Sequence, residues 1–179
     1  WPAVGMARSA SLAVRFDDVA VGADGAVGEP GFYTDRVGFW WGASGVAACW
    51  WGGARGLLDG AGRLLATGEP GPTEMAAYGS AVACGRSIVE TLGWAAAVID
   101  ARTDVETARC TALTTREVVH AGCTRMLELV AAAAGARSLC LDPAQSRRAA
   151  DLYAYLSQHH PGRDAAELGR SLLAASPDP

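Results

Sequence analysis

The chain has 179 residues, half of them hydrophobic, which suffices for one domain with a sizeable core and argues against disorder. Its net charge is −4 and every basic residue is an arginine. The arginines form no basic stripe, so nucleic acid is not an expected partner.

The five cysteines (Cys49, Cys84, Cys110, Cys123 and Cys140) include no C-x-x-C pair, and three of them sit in apolar helical runs. Such a set suits neither a disulfide framework nor a zinc site, and points to a reducing, cytoplasmic setting. The chain opens on Trp1-Pro2 with no signal-peptide pattern, and reads as the middle of something longer.

Residues 10–21, "ASLAVRFDDVAV", place Leu12, Val14 and Phe16 in alternation with Ala13 and Arg15. That period of two predicts a strand. Asp17-Asp18 breaks the pattern, and "GADGAVGEPG" is turn chemistry. One or two strands are not stable alone, and everything after residue 36 reads helical. The strand therefore needs a partner from elsewhere.

A first helix is expected from Phe39 to about Ala66, rich in glycine and tryptophan. Gly45, Cys49, Gly52, Gly53 and Gly56 space small residues so that a neighbouring backbone can approach. Residues 37–54 carry no charge and are of marginal membrane-spanning length. Arg55 and Asp59 follow at once, so a buried bundle helix is the preferred reading, with no membrane. After the loop "TGEPGPT", a second helix is expected from about Thr73 to Ala101.

A third helix starts at a capping box, Thr103 to Glu106, and stops at Gly135, a usual terminator. Val119, Cys123, Met126, Val130 and Ala133 form its apolar stripe. Glu117, His120, Thr124 and Glu128 form a polar one. His120 and Cys123 have ligand-like spacing but no further partner, so no metal is expected. A fourth helix is expected from about Ala144 to His160, with Leu152, Tyr155, Leu156 and His159 facing the core. Pro161 stops it, and Asp164 to Glu167 is a capping-box variant opening a short fifth helix. Arg147-Arg148 is expected to pair with Asp151. Long helices with short loops imply an antiparallel four-helix bundle.

With these residues in view, "AVGMARSASLAVRFDDVAV" resembles the end of the middle β-domain of acyl-CoA dehydrogenases, where a strand ends in "FDDV.V". The helices that follow are similar to that family's C-terminal bundle. The resemblance makes residues 1–30 the end of a β-domain and residues 31–179 the helical bundle. It implies an FAD flavoprotein acting on the CH–CH group of an acyl-CoA thioester, as a homo- or hetero-oligomer, with FAD shared with a missing domain or partner chain. It also implies a carboxylate base. Aligned on Asp151, the base position carries His159, as base or proton shuttle; the family's second base position carries Ala43. Arg63 matches the arginine of the FAD-contacting signature, with Glu74 where a glutamine would stand. Gly135-Ala136 stands at the Gly-Gly turn that approaches the flavin. A histidine at this place is also similar to flavin-dependent monooxygenases of the same fold. The absent carboxylate fits a non-catalytic partner subunit as well.

Overall fold

A computed structural model describes residues 3–102 and 104–175. The architecture is mainly helical: α1 Val37–Ala66, α2 Pro72–Asp100, α3 Val105–Leu141, α4 Pro143–Leu156 and α5 Pro161–Ala175. A 3₁₀ turn, Ala23–Gly25, precedes them. α3 is the central element and packs against each of the other four; α1 also packs against α2 and α4.

The core follows the helical period. Val119, Cys123, Met126, Val130 and Ala133 of α3 are all buried, as their spacing requires. Val119, Cys123, Met126 and Val130 share one core cluster with Trp50, Ala54, Leu57 and Ala61 of α1 and Ile88 of α2. The glycines of α1 divide by their surroundings. Gly53, Gly56 and Gly60 form a groove that receives α4: a Cβ on them would lie 3.3 Å from Leu152 Cδ1, 2.6 Å from Arg148 Nε and 1.2 Å from Gln145 Nε2. Gly45 and Gly52 face open space. In that groove the buried Gln145 donates to the Leu57 carbonyl, and Arg148 donates to the Gly56 carbonyl and to Gln145 Oε1. Arg148 thus holds α4 on α1 and does not pair with Asp151, whose carboxylate accepts from the Met6 amide instead.

Three expectations are corrected. Among the described residues no strand forms. The 10–21 segment runs without secondary structure, with Leu12 and Phe16 about four-fifths exposed, because no neighbouring strand supplies a ladder. Gly135 interrupts the helix where a terminator was expected: it adopts φ +63°, ψ −173°, a non-helical conformation suited to glycine, and a second helical stretch follows it to Leu141. α4 ends at Leu156, and α5 begins at Pro161, where a proline ring fits the first helical position and forgoes an amide that would lack a partner. Asp164 lies inside the first turn of α5, and the His160 carbonyl accepts from the Arg163 and Asp164 amides.

Thr103, and with it the expected capping box, lies outside the described residues. Asp104 caps α3, its carboxylate accepting from the amide and the hydroxyl of Thr107. Among the described residues, α2 is the helix long and apolar enough to span a membrane by length and composition. α1, the helix weighed on its uncharged stretch, is instead the one that carries Trp50 and Leu57 into the core.

Candidate functional site

The site is built where α3, the end of α4 and the start of α5 meet Trp50 of α1. After Leu156 the chain makes a turn in which the His159 amide bonds to the Leu156 carbonyl. This tucks the His159 side chain fully inside, while His160 stays exposed. The inward face read from the helical period is therefore correct, although His159 belongs to the α4–α5 linker.

His159 is held by partners from both flanking helices. Arg116 Nη2 lies 2.8 Å from His159 Nδ1. A guanidinium can only donate, so Nδ1 accepts and the ring proton resides on Nε2. Arg116 Nε also donates to Asp164 Oδ2 at 3.3 Å, and that oxygen is 3.6 Å from His159 Nδ1. Arg163 reaches the other Asp164 oxygen through Nε and Nη2, at 3.3 and 3.2 Å. The Arg116 guanidinium also lies over the Trp50 ring, 5.0 Å from its centroid. The His159 ring is 5.3 Å from Trp50 and 4.7 Å from His120, centroid to centroid.

These surroundings set the protonation state. Burial, then the Arg116 charge and His120, bring the His159 pKa down to about 4 from 6.5, with Asp164 opposing. At neutral pH the imidazole is uncharged. One ring nitrogen is occupied and the other, Nε2, is a buried donor with no partner among the described residues. Chemically this is a fixed N–H donor. With its Nδ1 lone pair committed to Arg116, it is poorly suited to remove a carbon-bound proton.

The other expected site residues lie far away. Gly135 is fifteen residues beyond His120 on α3, about 22 Å at 1.5 Å per residue. It lines a cleft at the opposite end of the bundle, with Leu64, Glu69, Glu74 and Arg137. Arg63 is exposed in the last turn of α1, next to that cleft. Arg63 and Gly135 thus share one end of the bundle, and His159 occupies another region. The cleft carries two carboxylates, Glu69 and Glu74, against one arginine, Arg137, so its lining is of mixed charge. His120 approaches His159, but Cys123 is wholly buried and its thiol is pushed up to about 12, chiefly by desolvation.

Arg116 and Asp164 are the site residues that sequence reasoning missed. Arg116 left one signal: a charge between the buried Thr115 and Val119, one helical turn before His120. Ala43 lines a cleft of about 410 Å³ together with Arg116 and Asp164. Comparisons of the chain with models of protein families, with curated proteins and with solved structures find no match.

Proposed function

We propose that this chain is the helical part of an acyl-CoA dehydrogenase-like flavoprotein, an oxidoreductase acting on the CH–CH group of an acyl-CoA thioester in the cytoplasm. FAD would be held jointly with a β-domain on another stretch of polypeptide or a partner subunit. One observation carries this reading. The segment ending in "FDDVAV" is exposed, presents alternating apolar side chains and finds no sheet among the described residues, ahead of a helical bundle. A strand of this composition is stable when it adds to a sheet.

Bound FAD would supply the hydride acceptor. On this chain, His159 would contribute a neutral hydrogen-bond donor, fixed by Arg116 and Asp164. The test is flavin retention: purify the chain alone and together with the polypeptide encoded immediately upstream, and record the visible spectrum. Bound flavin in the joint preparation is expected; none in either preparation overturns the proposal.

A second reading, a non-catalytic partner subunit, is supported by the chemistry at the two base positions. One is Ala43, and the other is an imidazole whose Nδ1 is committed to Arg116. It predicts enoyl-CoA formation by the assembled complex that is unchanged in His159→Ala. A large loss in that variant excludes it, and oxygen consumption in place of enoyl product identifies monooxygenase chemistry instead.

A further inference from the structure

The cleft of about 410 Å³ beside Ala43 is lined by the first turns of α1, by α3 and by the start of α5. Two of its lining residues have no side chain to fill it. Gly38 and Gly42 stand four residues apart on one face of α1, and a Cβ added to either would meet nothing within 4 Å. Tyr33, Phe39 and Trp40 give the same cleft aromatic surface. Tyr33 meets Phe39 edge-on with centroids 5.5 Å apart, and Phe39 meets Trp40 in the same way at 5.3 Å.

The lining also carries charge. Arg36, Arg116 and Arg163 stand against Asp164 and Glu167, a surplus of one positive charge. Both carboxylates are already engaged. Asp164 is shared by two arginines: its Oδ2 accepts from Arg116 Nε, and its Oδ1 accepts from Arg163 Nε and Nη2. Glu167 lies 3.4 Å from Arg109 Nη1. Two guanidinium groups on one carboxylate leave a positive charge uncompensated. Water is partly excluded there, since the Arg116 side chain is only 16% exposed. Arg116 spends Nε on Asp164 and Nη2 on His159. Its Nη1 has no partner among the described residues and, unlike the orphaned Nε of Arg109, is not cut off from solvent. A charged N–H donor of this kind is matched best by a carboxylate. A cation is repelled, and a neutral acceptor forgoes the charge.

We infer that this cleft binds a small monocarboxylate with an aromatic body, its carboxylate received by Arg116 and Arg163 and its ring by Phe39 and Trp40. A concave site with apolar walls and a few convergent polar groups is the usual form of a small-molecule site. The inference stands apart from the flavin reading, because every lining residue belongs to this chain and no cofactor takes part.

The test is calorimetric titration of the purified chain. 3-Phenylpropionate is the probe. 3-Phenylpropanamide keeps the ring without the charge, and propionate keeps the charge without the ring. The expected result is saturable binding of 3-phenylpropionate, about tenfold or more tighter than either control. Gly42→Leu fills the cleft from a position where a Cβ meets no neighbour, and leucine favours a helix more than glycine does. It should fold and weaken 3-phenylpropionate binding by about tenfold or more. If it does not fold, Gly38→Leu fills the same cleft from one turn earlier and should do the same. Arg163→Gln, at a side chain 71% exposed, removes the surplus charge and should weaken the carboxylate while leaving the amide unchanged. No saturable binding of 3-phenylpropionate, equal binding of either control, or undiminished binding in a folded cleft-filling variant or in Arg163→Gln would overturn the inference.

Discussion

Arg116 and His159 are bound so that the arginine dictates which imidazole nitrogen carries the proton. The 2.8 Å contact from Nη2 to Nδ1 leaves Nε2 as the protonated atom. Arg116 is itself fixed by the Asp164 carboxylate and the Trp50 face. The state of the histidine therefore depends on α1, α3 and α5 together.

The first prediction concerns pH. His159 has a folded pKa of about 4 against 6.5 for an ordinary histidine. Between those values the unfolded chain binds more protons than the folded one. This contribution to stability is therefore fully present above about 6.5 and is lost as pH falls towards 4, amounting to at most about 3 kcal/mol. Urea unfolding at a series of pH values should show the decline in that window, and His159→Gln should flatten it. A pH-independent midpoint between 4 and 6.5 would count against the assignment.

Arg116→Met removes the donor to Nδ1 and one partner of the buried Asp164. Arg163 still reaches Asp164, so the expected loss is about 2–3 kcal/mol. The same change removes a repulsive charge and leaves Asp164 3.6 Å from the ring, so the His159 pKa rises. NMR titration of the imidazole checks the direction. Arg116→Lys should restore the charge without the two-pronged geometry, and only part of the stability.

The α1 glycines make a paired prediction. Gly52→Ala faces open space and should stabilise by up to about 1 kcal/mol, the ordinary helix preference for alanine. Gly60→Ala meets the amide of Gln145, itself buried and bonded to Leu57 and Arg148. It should destabilise by about 1–3 kcal/mol through displacement of α4. Thermal unfolding of the two variants should shift in opposite directions.

Phe16→Glu tests the role of the extended segment. Phe16 is 79% exposed, so bundle stability should change by less than about 0.5 kcal/mol. Flavin retention in the joint preparation should nevertheless fall sharply, because a charge replaces an apolar residue on the face meant for a sheet. Unchanged retention would remove the segment from the proposed interface.

Much of the bundle was legible because its stripes are local. The 3.6-residue period on α3 identifies Val119 to Ala133 as core, and the small residues Gly53 and Gly56 identify a close approach. Punctuation residues were harder. Pro161 reads as a stop but serves as a start. The strand at 10–21 failed for a thermodynamic reason: alternation favours a strand only where a second strand accepts its backbone bonds. His159 was found by its periodicity and by resemblance. Arg116 and Asp164 were not, because they are 48 residues apart in sequence and meet only when α5 docks.

Among the described elements α5 packs against α3 alone, and its first turn carries Asp164. A helix tied to one neighbour is a natural unit of local opening. Each opening separates Asp164 from Arg116 and lets water reach His159, whose proton affinity returns towards the ordinary value. Opening at mildly acidic pH would therefore take up a proton. If α5 opens first, the rate at which its backbone amides exchange hydrogen should climb below pH 6.5 while that of α1 holds steady.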